Sequence, residues 1–128
     1  MANKSYCRYR NNVRTILAKV RNRYKIHNRP FNFSDFRRIC RIEGIHVFSN
    51  FSKLPLGFYS HFRKVKFIYL NEKAGRKTLY VALHELGHYF LHQDQMTKNY
   101  FRKTTKAELK AEKEANLFAE LAMKGGRK

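Results

Sequence analysis

The sequence predicts an α+β fold in which helices pack on a small three-stranded sheet. Two segments with helical periodicity come first, three short apolar segments typical of strands follow, and two further helical segments come last. An order of helices, strands and helices is typical of α+β architectures. Because the chain has only 128 residues, we expect a single domain over residues 1–128.

The first helix is predicted over about residues 6–26, since apolar residues recur there at the three- and four-residue steps of one helical face. These residues are Val13, Ile16, Leu17, Val20 and Tyr24. Ser34 is a favourable N-cap for a second helix, and Gly44 is suited to end it. The core of the domain is therefore expected over about residues 34–123.

The second half of the chain contains the predicted sheet and the last two helices. Three segments have strand character: Ile45–Phe48, Leu56–Ser60 and Val65–Leu70. The pattern then becomes helical from about Arg76 to His92. A last helix is predicted from about Thr105 to Met123, a segment rich in strong helix formers.

The composition is strongly basic. Twenty-eight Lys and Arg residues against 9 Asp and Glu give a net charge of +19, and residues 1–34 contain no acidic residue. A field of this sign attracts nucleic acids and acidic proteins. Residues 1–34 are therefore a predicted nucleic-acid contact, and the alternative is a solvated basic face that keeps the protein soluble.

Several classes of protein are excluded by composition. No run of 18 apolar residues is present, so no membrane-spanning segment and no membrane partner are expected. The charged N-terminus lacks the apolar core of a signal peptide. Cys7 and Cys40 are the only cysteines, which excludes a disulfide framework and a Cys-rich zinc site. Two free thiols suit a reducing cytoplasm, which is the predicted location.

The strongest chemical signal is the segment His84-Glu85-Leu86-Gly87-His88. On a helix, residues four apart face the same direction, so both imidazoles can reach one ion, and zinc is the predicted cofactor. Glu85 flanks the ion and is the predicted general base. Because apolar residues surround the motif, the helix is expected to be buried, where two histidines and a carboxylate need a cation to compensate them. The alternative interpretation is a helix with surface histidines.

The last helix is expected to supply the third ligand, Glu114. A helical wheel places this carboxylate in the middle of an apolar face, formed by Leu117, Phe118 and Leu121. Glu112 is expected to point nearly the opposite way. His92 lies about 12 Å along a straight helix from His84, so it is excluded as a ligand and predicted near the rim. A salt bridge from Glu114 to a basic residue is the alternative.

Two further residues are predicted to support the ligands from outside the coordination sphere. Asn116 is two residues past Glu114, where its side chain is expected to hydrogen-bond a ligating histidine. Tyr80 is the other. It is also, with Tyr89 and His92, a candidate for the donor that stabilises an oxyanion.

These motifs together resemble the ImmA/IrrE family of zinc metallopeptidases. The similarity includes the segments Tyr89–His92 and Glu112–Ala119, the strand Phe67–Asn71 and the turn at Gly44. It extends over roughly residues 34–123. The resemblance implies a zincin-like arrangement, in which the H-E-x-x-H helix is completed by a C-terminal helix that bears the glutamate ligand.

By position, the family pattern implies that His84, His88 and Glu114 bind zinc and that Glu85 is the general base. Family members are commonly encoded in phages and mobile elements, and several are antirepressors or stress regulators. The resemblance therefore implies that a helix-turn-helix repressor is the substrate.

The predicted function is zinc-dependent hydrolysis of a peptide bond in such a repressor or a similar regulator. An extended substrate is expected to pair with an edge of the sheet at the Val65–Leu70 strand. The alternative function belongs to another class. It is a basic DNA- or protein-binding regulator, an antirepressor or anti-host factor, whose metal site is structural or vestigial.

Overall fold

The computed structural model describes residues 4–53, 55–92 and 106–125. Its helices and strands, in chain order, are α1 (Lys4–Tyr24), α2 (Phe33–Glu43), β1 (Ile45–Asn50), β2 (Gly57–Phe62), β3 (Val65–Asn71), α3 (Thr78–His92) and α4 (Lys106–Met123). The predicted α+β class, with helices on a small three-stranded sheet, is confirmed. Thr105, the predicted start of the last helix, and residues 1–3 of the basic segment lie outside the described residues. Among the described helices, none is long and apolar enough to cross a membrane.

The N-cap of the second helix lies two residues before the predicted one. Asn32 is the cap, and its side chain accepts a hydrogen bond from the backbone N–H of Asp35 at 2.8 Å. The Asp35 carboxylate accepts one from the Asn32 backbone N–H in return, also at 2.8 Å. This reciprocal capping box satisfies two backbone donors at once, so the prediction of Ser34 as N-cap is wrong. Gly44 ends the helix in the left-handed conformation, as predicted, with φ of 75°.

The sheet has the order β1-β3-β2, with β3 parallel to β1 and antiparallel to β2. Both edges of β3 are therefore paired, and the prediction that the Val65–Leu70 strand offers an edge to substrate is wrong. Alternation of apolar residues reports which face of a strand is buried but not which strand lies in the middle. The outer strands of this sheet are β1 and β2.

The third helix lies at the centre of the packing, against β2 and β3 on one side and α4 on the other. Its Ala82, Leu83 and Leu86 are fully buried. Gly87 lets α4 approach closely, since a Cβ atom built there would lie 3.1 Å from the Phe118 side chain. This close approach brings the carboxylates of α4 within reach of the histidines of α3.

A partly buried polar cluster around Glu43 connects four elements. The hydroxyls of Tyr24 and Tyr89 donate hydrogen bonds to its carboxylate, the second at 2.6 Å. Lys66 Nζ donates to the Glu43 backbone carbonyl at 2.6 Å. Burial opposes ionisation of Glu43, but the two hydroxyl bonds outweigh it and hold the pKa of this carboxyl below its ordinary value. Ionised Glu43 thus joins α1, α2, β3 and α3.

We expect Glu43→Ala to lower the free energy of unfolding by about 2–3 kcal/mol at neutral pH, because both hydroxyls lose a charged acceptor. The folded-state pKa of Glu43 is lowered, so its contribution is present above the unfolded carboxyl pKa of about 4.3 and is lost as pH falls through the folded value. Urea titrations at several pH values measure this. The exposed Glu120→Ala is the control, and a difference between wild type and Glu43→Ala that does not shrink in acid would contradict the prediction.

Candidate metal centre

The H-E-x-x-H segment lies on α3, as predicted, and its three polar side chains converge. Ligand atoms of His84, Glu85 and His88 all lie within 4.8 Å of one another. The two imidazole rings meet edge to face, with centroids 4.8 Å apart. Glu85 and His88 are buried, while the His84 side chain is 12% exposed. The predicted buried grouping of two imidazoles and a carboxylate is therefore present in the fold.

The carboxylate that faces both imidazoles belongs to Glu112. Its Oε1 lies 2.9 Å from His84 Nε2, and its Oε2 lies 3.0 Å from His88 Nε2. The prediction that Glu112 points away from the site is wrong. Of the carboxylates on α4 in the described residues, Glu112 is the one best placed to complete a metal site with His84 and His88.

The wheel correctly placed Glu114 on a buried side of α4, and the error was to treat the side that carries Glu112 as remote from the histidines. The fully buried residues on this helix form a small-residue stripe, with Phe118 beside it: Ala115, Ala119 and Ala122. Glu112 precedes this stripe at helical spacing, three residues before Ala115 and seven before Ala119, so it shares the same side. Leu121, which the wheel included in the apolar face, is only partly buried. The alanine stripe marks where α4 packs closely, and Glu112 and Glu114 lie on its two flanks.

Glu114 is buried, as the wheel argument required, but its partner is His92. Glu114 Oε1 lies 2.6 Å from His92 Nε2. His92 is 6% exposed and its Nδ1 lies 3.2 Å from His88 Nδ1, so its predicted position near the rim is wrong. Glu114 thus contacts the site through His92, and the geometry on which its assignment as third ligand depended is not found.

Glu85 lies beside the two imidazoles on α3, close to the first residue of β2. Its Oε2 lies 4.0 Å from His84 Nε2, and its side chain is 5% exposed. Gly57 packs directly over this region. A Cβ atom there would lie 2.5 Å from Val81 Cγ1 and 3.6 Å from Glu85 Cγ. The absence of a side chain at this position leaves room for Val81 and lets the start of β2 lie against Glu85.

The two residues predicted to support the ligands are joined to one another. The Tyr80 hydroxyl donates a hydrogen bond to Asn116 Oδ1 at 2.9 Å. Burial lowers the pKa of His84, but this effect is outweighed by the hydrogen bond to Glu112, by the charges of Glu85 and Glu112, and by an interaction with Asn116. The net result is a raised pKa. Because the surroundings of His84 favour positive charge, they also favour a cation.

The donor set matches the chemistry of zinc. Two imidazole nitrogens and one carboxylate are the protein ligands of His₂Glu zinc peptidases, which keep a further position for water. Residues 40–126 match the sequence profile of a peptidase family described as "IrrE N-terminal-like domain". The chain belongs to this family. The resemblance to ImmA/IrrE proteins is thereby confirmed, and the matched segment of the IrrE N-terminal-like family includes the H-E-x-x-H helix and Glu112. No curated protein matches the chain significantly.

Proposed function

We propose that the protein is a zinc-dependent peptidase that cleaves a peptide bond in a helix-turn-helix repressor or similar regulator. The observation that carries the proposal is the Glu112 carboxylate, whose two oxygens lie 2.9 and 3.0 Å from the Nε2 atoms of His84 and His88. Together these three side chains form a ligand set of the His₂Glu type. Glu85, beside them, is the fourth group that peptide hydrolysis requires.

In the proposed mechanism, His84, His88 and Glu112 hold the ion. When bound, zinc polarises the scissile carbonyl and lowers the pKa of water towards about 7. Glu85 accepts the proton of the attacking water at its carboxylate and then delivers it to the leaving amine. The Glu85 side chain is 5% exposed, so its surroundings limit its rotamers and the base keeps its orientation.

A substrate strand is proposed to pair with the outer edge of β2. This strand begins at Gly57, which lies against Glu85, so a peptide along β2 passes the base. In the described part of the chain, β3 is the one strand that pairs with β2. Residues 44–71 contain no acidic residue and four Lys or Arg residues, which favours a substrate segment that carries acidic side chains.

The alternative function is a basic regulator whose metal site is structural or vestigial. The exposed residues Arg14, Lys19 and Arg23 on α1 favour it, because they can contact phosphates. Arg21 is not available for this role. It is 8% exposed and donates to the backbone carbonyls of Ile26 and Arg29 at 3.1 and 2.8 Å.

The experiment that tests the proposal combines metal analysis with a cleavage assay. We expect purified protein to hold about one zinc per chain and to cut a candidate repressor at a discrete site. A chelator should stop the cleavage, and added zinc should restore it. Zinc-loaded protein that leaves every tested repressor intact while it still binds one of them would favour the alternative function.

A further inference from the structure

Three buried side chains, those of His88, His92 and Glu114, form a continuous chain of contacts. His88 Nδ1 lies 3.2 Å from His92 Nδ1, and His92 Nε2 lies 2.6 Å from Glu114 Oε1. The exposed fractions of His88, His92 and Glu114 are 1%, 6% and 9%. The other ring nitrogen of His88, Nε2, faces Glu112 on the opposite side.

These contacts determine which nitrogen of each ring carries a proton. In the 2.6 Å contact the Glu114 oxygen accepts the hydrogen bond, so His92 Nε2 carries the proton. In a neutral imidazole the other nitrogen is then an acceptor, so His92 Nδ1 has a lone pair. Two facing nitrogens at 3.2 Å need one proton between them, and this proton must come from His88 Nδ1. His88 is thereby left with a lone pair on Nε2.

We propose that Glu114 and His92 are positioning residues that fix His88 in the tautomer able to bind a metal ion through Nε2. The inference rests on the proposed function in one respect, the identity of His88 as a ligand. Hydrogen bonds behind a ligating imidazole usually come from a carboxylate or carbonyl. Here the imidazole of His92 lies between the carboxylate and the ligand, so the hydrogen bond to Glu114 determines which nitrogen of His88 carries its proton.

The arrangement at Nε2 supports the proposal. With its proton on Nδ1, His88 presents a lone pair to Glu112 Oε2 at 3.0 Å. Two acceptor atoms at this distance repel one another unless a cation binds both. The tautomer of His88 that Glu114 fixes through His92 therefore favours a metal ion between His88 Nε2 and Glu112 Oε2.

The chain of contacts acts on one of the two imidazoles. His84 is a full helical turn from His88, and its hydrogen-bond partners are Glu112 and Asn116. Loss of Glu114 or His92 should therefore change the tautomer of His88 and leave that of His84 unchanged. A general loss of structure would alter both rings.

The test uses three variants of the full chain. His92→Leu removes the acceptor for His88 Nδ1, whereas His92→Asn offers Oδ1 near the position of the lost Nδ1 and should rescue it. Glu114→Gln removes the charge that fixes His92 and keeps the side-chain shape. Glu120→Gln, an exposed position on the same helix, is the matched control.

Two readouts are independent of peptidase activity. Zinc affinity, measured by competition with a chromophoric chelator, should fall about 10–100-fold in His92→Leu and Glu114→Gln, recover largely in His92→Asn and stay unchanged in Glu120→Gln. Long-range ¹H–¹⁵N spectra of histidine-labelled protein report the tautomers directly. We expect the Nδ1–H form of His88 in wild type and a mixture with the Nε2–H form in His92→Leu.

Wild-type affinity together with an unchanged His88 tautomer in His92→Leu would overturn the proposal. A loss in His92→Leu that His92→Asn does not restore, with His84 also perturbed, would show a merely structural role and overturn it as well. A protein that binds zinc and shows the predicted tautomers but cleaves nothing would refute the peptidase function alone. The two failures are therefore distinguishable.

Discussion

Glu85→Gln is expected to lower kcat/KM for peptide hydrolysis by about 10²–10⁴-fold and to leave the zinc content unchanged. Glutamine keeps the shape of the side chain, which packs near Gly57 and is 5% exposed, but it cannot accept the proton of the attacking water. The imidazoles of His84 and His88 and the Glu112 carboxylate remain in place. Cleavage kinetics and elemental analysis on the same preparation measure the two quantities.

Glu72→Gln is the control, since this exposed carboxylate contacts Ser49 on β1 and is not part of the metal centre. It should cleave like wild type. If Glu85→Gln retains the biological effect of the protein, hydrolysis is not its function. That result would favour the alternative function, a basic regulator with a structural or vestigial metal site. If Glu85→Gln instead loses zinc, Glu85 is a ligand and a different base is needed.

Local patterns in the sequence were sufficient to predict the fold class and the convergence of three polar side chains on α3. The order of helical and strand periodicities predicted the α+β class, and Gly44 was identified as the end of α2 from its residue type. The four-residue step from His84 to His88 brings both imidazoles together on one helix whatever surrounds it. These features depend on residues that are close in sequence, so they can be predicted from a single sequence.

Features set by distant segments were harder to predict. The central place of β3 depends on how β1 pairs across the sheet, which strand periodicity does not report. The choice between Glu112 and Glu114 depends on which side of α4 approaches α3, and the alanines and Gly87 decide this through close packing. A wheel centred on the largest apolar residues correctly placed Glu114 on a buried side, but it could not show that Glu114 meets His92 there while Glu112 faces His84 and His88.

Glu112→Ala is expected to weaken zinc binding by more than about 100-fold, and Glu114→Ala by about 10–100-fold. The first variant removes the oxygens that lie 2.9 and 3.0 Å from His84 and His88, so a direct ligand is lost. The second removes the partner of His92 and acts only through His88, as losses outside the coordination sphere do. Chelator competition measures both affinities under identical conditions.

The effect of each variant on folding stability must be separated from its effect on zinc affinity. The Glu114 side chain is 11% exposed whereas the Glu112 side chain is 35% exposed, so Glu114→Ala should cost more folding stability although it costs less zinc affinity. Urea unfolding of the metal-free proteins separates the two effects. If Glu114→Ala weakens zinc binding more than Glu112→Ala does, the carboxylate that faces both imidazoles is not the third ligand, and Glu114 must turn from His92 towards the metal when zinc binds.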